Sequence, residues 1–472
     1  MANKVVMMMM NNPSSSFSSL SLSNHKHTLL LKLLISFLLS GLAFRLILSN
    51  YSISISSQTE HPPPPHNLDR DRDRDTLFRS VETDHALSHQ LQYNFTDHTN
   101  DSDEAPLRDF QENSNHENGS SQCDIFVGKW VRDPSGPRYT NETCRFIEPP
   151  QNCMRNGRPD SDYLYWRWSP RDCELPTLDA PNFLNLMRHK SWAFIGDSIS
   201  RNHVQSLLCI LSQVEEATEV YHDEEFKSKR WYFPGHNFTL SVIWSPYLVK
   251  ADVFEDNDGH SSAQTQIYLD TVDPIWSQQY TNFDYIIFAG GKWFLKTAIY
   301  YENRTIVGCH YCPGRNLTEL GYDFGYRKAI RRVLDYMTKS SHKPLILFRT
   351  TAPDHFENGE WFSGGTCNRT EPFNEGEAGF KDVDTVMMNV ELEEFQRAEN
   401  VALKKGIKLK LFDTSKASLL RPDGHPGPYR NFQPFSEGGG DGDGKLIRDC
   451  LHWCLPGPID YWNDLIMYAL SH

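Results

Sequence analysis

Residues 191–210 read SWAFIGDSISRNHVQSLLCI. Trp192-Ala193-Phe194-Ile195 is an apolar run of the length a buried strand wants. Gly196-Asp197-Ser198 then turns the chain, and Val204, Leu207, Leu208 and Leu211 recur at helical spacing. A serine at a strand-to-helix turn exposes its hydroxyl above the sheet edge, where the unpaired N–H groups of the first helical turn can stabilise an oxyanion. Alone, Gly-Asp-Ser is a common turn whose polar residues can simply cap a helix. A serine nucleophile needs a base, and the base needs an acceptor that sets its tautomer.

Asp449-Cys450-Leu451-His452 supplies both, with the carboxylate and the imidazole three residues apart and so able to sit side by side. In isolation that spacing reads as a capping Asp and a surface His. Paired with the Gly-Asp-Ser turn, it reads as Asp449 orienting His452 and His452 facing Ser198. Asp423-Gly424-His425 is a rival acid/base pair, but its Pro- and Gly-rich surroundings favour a structural turn.

The strand at 192–195 is the first of several. Leu240–Trp244, Tyr285–Phe288, Leu345–Phe348 and Lys408–Phe412 are further short apolar runs, and Ile199–Gln213, Tyr326–Met337 and Val386–Lys405 carry helical patterns. Short strands alternating with helices predict an α/β fold with a parallel sheet covered on both faces. Ligands bind at the carboxyl ends of such strands, where Ser198 falls. Phe288-Ala289-Gly290-Gly291 ends its strand at the same edge, so Gly291 is a candidate oxyanion donor, a plain turn being the alternative. Arg201 and Asn202, one turn beyond Ser198, are candidate partners of the oxyanion or substrate, as is Asp197.

Composition narrows the function classes. The chain has 472 residues and a net charge of −14, of which residues 61–120, with 13 acidic and 5 basic side chains, hold −8. No basic face is evident, which argues against a nucleic-acid partner. Residues 1–27 are Met-, Ser- and Asn-rich and read as a disordered cytosolic tail. Residues 28–48, with an apolar run from Leu29 to Leu48, are long enough to span a bilayer, and the flanking Lys4, Lys26 and Lys32 favour a cytosolic N-terminus. That predicts a single-pass type II signal anchor; the competing cleaved signal peptide lacks a clear small-x-small site. Residues 49–120, with Pro62 to Pro65 and an Asp/Arg alternation over 69–75, read as a disordered luminal stem. Sequons at Asn94, Asn100, Asn118, Asn141, Asn237, Asn303, Asn316 and Asn368 follow the anchor, and none precedes it. All ten cysteines also follow it, an even number that reads as disulfides in a luminal domain. Cys309 and Cys312 have zinc-like spacing, but no second pair completes a site, so no metal is expected. Residues 121–176 form a Cys-, Trp- and Pro-rich subdomain. Its aromatic run Tyr163-Leu164-Tyr165-Trp166-Arg167-Trp168 is most simply core, with a glycan-stacking platform as the alternative. Residues 177–472 form the candidate catalytic domain.

Phe194-Ile195-Gly196-Asp197-Ser198 and Asp449-Cys450-Leu451-His452-Trp453-Cys454-Leu455-Pro456-Gly457 resemble the two signature blocks of the plant trichome birefringence-like family, Golgi polysaccharide O-acetyltransferases with a GDSL/SGNH-esterase-like domain. The resemblance runs from about Cys123 to Tyr468 and includes His355-Phe356-Glu357-Asn358-Gly359 and Arg421-Pro422-Asp423-Gly424-His425-Pro426. Gly291-Lys292-Trp293, where several family segments have Gly-His-Trp, and Cys309-His310-Tyr311-Cys312 resemble the xyloglucan-acetylating branch more than the xylan branch. The resemblance implies an SGNH-hydrolase-like sheet, a Ser198–His452–Asp449 triad with Arg201 as a further active-site residue, and the disulfides Cys123–Cys173, Cys144–Cys209, Cys153–Cys454, Cys367–Cys450 and, locally, Cys309–Cys312. It also implies acetyl transfer from acetyl-CoA or another activated acetyl donor, with no bound cofactor, to a hemicellulose acceptor at the Golgi membrane, on xyloglucan side-chain galactose in particular. Xylan or mannan acetylation, a carbohydrate acetyl esterase with the same residues, and a non-catalytic cell-wall glycan-binding protein are the alternatives.

Overall fold

Strand β1, Ser191–Gly196, is the centre of a seven-stranded sheet. Its side chains alternate between two cores: Trp192 and Phe194 pack on one face, Ala193 and Ile195 on the other. Burial on both faces is why the strand reads as one unbroken apolar run. The structure, a computed structural model, describes residues 124–253, 263–436 and 446–471. The expected tail, anchor and stem at 1–27, 28–48 and 49–120 lie outside these residues. Among the described residues, no helix is long and apolar enough to cross a membrane.

The remaining parallel strands are β2 (Phe238–Trp244), β3 (Tyr285–Phe288), β4 (Leu345–Arg349) and β5 (Leu409–Phe412), arranged β5-β4-β3-β1-β2. All five had been expected at these places, and all pair in parallel. Beyond β2 the sheet is extended antiparallel by Lys229–Phe233 and Thr218–His222, so it is mixed at that edge and not wholly parallel. The strand order reverses between β1 and β3, and such a switch point opens a crevice at the carboxyl ends of the strands.

Helices cover both faces. Helix α1 (Ser198–Leu211) and helix α4 (Tyr461–Ser471) bury Val204, Leu207, Leu208, Leu465 and Ile466 against Phe194 and Val242. Helices α2 (Gly321–Lys339) and α3 (Asp382–Lys405) bury Ile330, Val333, Met387 and Val390 against Ile195, Ile286 and Phe348 on the other face. Gly406, in the left-handed region at φ 63°, ends α3.

A second sheet was not expected: Thr305–His310, Ala298–Glu302, Thr265–Val272 and Val249–Asp252, in that order. Its hairpin turns through Asn303 and Arg304, both at positive φ. That geometry usually announces itself as Asn-Gly, and here no glycine marks it. A third, two-stranded sheet (Gly128–Arg132 with Trp166–Pro170) brings Trp130 and Trp168 onto Tyr461 of α4, with centroids 5.1 and 6.1 Å away. The N-terminal aromatic block therefore shares its core with the sheet, and the described residues fall in one compact unit, 115–472.

Four disulfides join described residues: Cys144–Cys209, Cys153–Cys454, Cys309–Cys312 and Cys367–Cys450. Cys173 is disulfide-bonded too, and its expected partner Cys123 lies outside the described residues. Cys309 and Cys312, bonded to each other, are not offering thiolates to a metal.

Cys153–Cys454 closes a sequence separation of 301 residues. Replacing both with serine is expected to cost about 2–5 kcal/mol, chiefly by freeing the unfolded chain. Denaturant melts of the non-reduced proteins check this, and an unchanged midpoint would contradict it.

Candidate active site

The strand-to-helix turn after β1 is sterically dictated. Gly196 has φ 157°, and a Cβ there would stand 2.5 Å from the Ala289 carbonyl oxygen and 2.6 Å from Ser200 Oγ. Only glycine lets β1 leave the sheet this close to the exit of β3. Asp197 then caps α1, its Oδ1 accepting from the Ile199 N–H at 3.0 Å. Ser198, half-buried, is the first residue of the helix.

One turn later, Asn202 holds the other end of the chain. Its Oδ1 accepts from the Trp453 N–H at 2.8 Å, and its Nδ2 donates to the Trp453 carbonyl at 3.3 Å. This two-bond clamp sets the residue after His452 against the first turns of the helix that Ser198 begins. Asn202 is buried, and both ends of its amide are engaged on the Trp453 backbone. It is a positioning residue.

His452 Nδ1 donates to Asp449 Oδ2 at 2.8 Å, leaving Nε2 with the lone pair a general base needs. Asp449 Oδ1 also accepts from the Leu451 and His452 N–H groups at 3.1 and 3.0 Å. Burial would raise the Asp449 carboxyl, but the His452 ring, its hydrogen bond and Arg430 outweigh it and hold the pKa well below the usual carboxylate range. Asp449 is thus a fixed negative charge behind the imidazole. The side chain of His452 remains 21% exposed, so its ring is reachable from solvent.

The loop carrying this pair is tied down on every side. Cys450 is bonded to Cys367 and Cys454 to Cys153. Asp449 exchanges two backbone hydrogen bonds with Gly427, and the Cys450 carbonyl accepts from the His355 N–H at 2.9 Å. His425, of the rival pair, donates from Nδ1 to the His452 carbonyl at 2.7 Å, and its Nε2 lies 2.7 Å from His355 Nδ1. Burial, with His355 adding to it, pushes His425 down to about 3. Asp423 is taken by Arg421 in a bidentate pair. Asp423 and His425 therefore support the loop and do not form a second acid/base pair.

Across the switch point, Gly291 turns at φ 148°, where a Cβ would meet Thr351 Oγ1 at 2.4 Å. Thr351 Oγ1 lies 2.9 Å from the Gly290 carbonyl and 2.6 Å from Glu391, whose carboxylate also takes the Thr351 N–H and the Tyr326 hydroxyl. Lys292, its side chain 12% exposed, lies between Asp354 and Asp384; partial burial would lower it, but the two carboxylates hold it charged. Arg201 has its Nε 3.6 Å from Glu148 and its guanidinium 5.6 Å from the ring of Trp244, the register partner of Gly196. Glu391, His355 and Lys292 had not been assigned roles. Glu391 did leave a trace in the sequence, as an acid on the apolar stripe formed by Met387, Val390, Phe395 and Ala398 of α3.

An Asp–His pair thus sits on a loop clamped to the helix that Ser198 begins, at the carboxyl edge of an α/β sheet. The model of the GDSL/SGNH-like acyl-esterase family found in Pmr5 and Cas1p matches residues 175–469, and that of the PMR5 N-terminal domain matches 121–174. The chain belongs to this PC-esterase family. It is 58% identical to protein trichome birefringence-like 26 of Arabidopsis thaliana, over 74% of this chain and 77% of that one. It is 43% identical to xyloglucan O-acetyltransferase 1 of Populus trichocarpa, over 74% and 82%, and 42% identical to xyloglucan O-acetyltransferase 1 of Arabidopsis thaliana, over 76% and 83%.

Burial, against three hydrogen bonds, raises Glu391 from an ordinary 4.5 to about 7. A raised carboxyl contributes stability fully below pH 4.5 and loses it as pH climbs through 7. The melting temperature of Glu391→Gln relative to wild type should therefore rise between pH 4.5 and 7 and level off above. Melts across pH 4.5–8.5 read this, and a difference independent of pH would refute it.

Proposed function

We propose that the protein is a polysaccharide O-acetyltransferase that acetylates hemicellulose hydroxyls, on xyloglucan side-chain galactose, through an acetyl-serine. The observation that carries the reading is the Asp449–His452 pair, locked by Asn202 onto the helix that Ser198 begins. The names of the two xyloglucan O-acetyltransferases above support the acceptor.

In the first half-reaction, Ser198 Oγ attacks the carbonyl carbon of acetyl-CoA or another activated acetyl donor while its proton passes to His452 Nε2. The oxyanion is met by N–H groups at the start of α1 and at the Gly290–Gly291 turn. Collapse expels the donor's leaving group, which takes the proton from His452. In the second half-reaction, a sugar hydroxyl gives its proton to His452, attacks the acetyl carbonyl and displaces Ser198, which regains a proton. Asp449 stays ionised throughout and fixes the Nδ1–H tautomer. Each proton transfer is typically worth ~10²–10⁴-fold. Water would complete the same cycle as an acetyl esterase, so the products distinguish the two.

The site is assigned to the Golgi lumen, behind a type II anchor at residues 28–48. Disulfide bonding and the exposure of Asn237, Asn303, Asn316 and Asn368, each in a sequon, support that side of the membrane.

Ser198→Ala, His452→Ala and Asp449→Asn should each abolish transfer, and combining them should cost little more, because the three act as a unit. Full-length protein is to be incubated with acetyl-CoA and de-acetylated xyloglucan, xylan and mannan oligosaccharides, and the products weighed. Wild type with donor alone should gain one acetyl mass on the peptide containing Ser198. A folded Ser198→Ala protein with near-normal transfer would overturn the nucleophile, and acetate with no acetylated glycan would make the protein an esterase.

A further inference from the structure

A cavity of about 220 Å³ adjoins the segments that follow β2 and β3, and the chemistry above leaves it unused. Trp244, Tyr247, Trp293, Glu225, Lys227 and Asp273 are among its walls. Trp244 is the last residue of β2 and the register partner of Gly196, two residues before Ser198. Adjacent strands are only about 4.8 Å apart. Trp293 follows the Gly290–Gly291 turn by two residues and stands edge-on to Trp244, with centroids 5.5 Å apart. The two indoles thus hang from the ends of the strands that flank β1 on either side, the strand whose exit carries Ser198.

Its size and charge select among the groups such an enzyme must bind. Pockets that enclose a drug-sized ligand run to roughly 300–1,000 Å³, so this one suits a single ring and not a whole nucleotide thioester or oligosaccharide. The cations around it are already engaged, Lys227 on Glu225, Arg201 on Glu148 and Lys296 over the Trp293 ring, which disfavours an anionic donor. Lys227 Nζ lies 2.6 Å from Glu225 Oε2 and 5.6 Å from the centre of the Trp244 ring. Asp273 is already committed, accepting from Ser245 Oγ and the Ile275 N–H. Indole surfaces for the C–H faces of a pyranose, beside an acceptor and a donor for its hydroxyls, match a neutral sugar.

We propose that the Trp244–Trp293 cavity is the acceptor subsite and takes one neutral terminal hexopyranosyl residue of a glycan side chain, turning its hydroxyl toward Ser198. The assignment rests on the acetyl-transfer reading, but binding tests it separately. Full-length Ser198→Ala protein, which cannot turn over, is titrated with galactosylated xyloglucan oligosaccharide, the same oligosaccharide stripped of galactose, and xylo-oligosaccharide, following tryptophan fluorescence. The galactosylated ligand should bind at least about tenfold more tightly than the other two. Adding Trp293→Ala, or Glu225→Gln at the more exposed rim should the first not fold, should erase most of that margin, about tenfold for the tryptophan. In the Ser198 enzyme, Trp293→Ala should raise the acceptor KM by a similar factor. Equal binding of the three ligands, or a margin untouched by both variants, would overturn the subsite. So would a Trp293→Ala enzyme whose donor-only acetylation falls in proportion to transfer, since that would give the cavity to the donor. Selective binding without any acetyl transfer would sustain the subsite while refuting the transferase.

Discussion

The two hydrogen bonds between the Asn202 amide and the Trp453 backbone join residues 251 positions apart, and the candidate chemistry depends on that joint. Ser198 is placed by a local turn, whereas His452 belongs to a loop near the end of the chain. A base misplaced by an ångström loses much of its effect, so the loop must be held about as rigidly as the helix. The clamp is buried, where each unpaired amide or carbonyl would cost about 1–3 kcal/mol, so the joint resists opening. Two disulfides, the exchange with Gly427 and the His425 contact to the His452 carbonyl fix the loop from its other sides.

The same economy of turns governs the facing edge. Gly196 and Gly291 sit where a Cβ would strike Ala289 and Thr351, so the segments leaving β1 and β3 approach more closely than side chains would allow. Thr351, itself held by Glu391, meets the Gly290 carbonyl, while Lys292 is pinned between Asp354 and Asp384. A backbone turn meant to greet a developing negative charge is useful only if it is already in place, because reorganising it during the reaction would consume the gain. The buried ionic and acidic groups around it make such a turn expensive to distort.

Much of this was readable in the sequence because it is local. The length of the run Trp192–Ile195, the glycine after it and the helical spacing from Val204 to Leu211 are set by neighbours within a few residues, and five strands and three helices could be placed by the same reasoning. Asp449 and His452 are three residues apart, and that spacing reads as a pair once the Gly-Asp-Ser turn supplies a serine for it. The N-terminal anchor and stem are compositional readings of that same kind, on residues outside those the structure describes.

What only the tertiary structure decided depends on contacts between distant segments. Asn202 is a polar residue beside a candidate nucleophile, and nothing local says that it clamps Trp453. His425 sits in a plausible acid/base triplet until Asp423 is found on Arg421 and the ring itself against the His452 carbonyl. The hairpin at Asn303–Arg304 has no glycine to mark it, and the switch point between β1 and β3 follows from strand order, which hydrophobic periodicity does not encode. Spacing along a chain determines which side chains share a turn or a face. Which turn meets which is set by packing the two faces of one sheet, and that packing assembles the site.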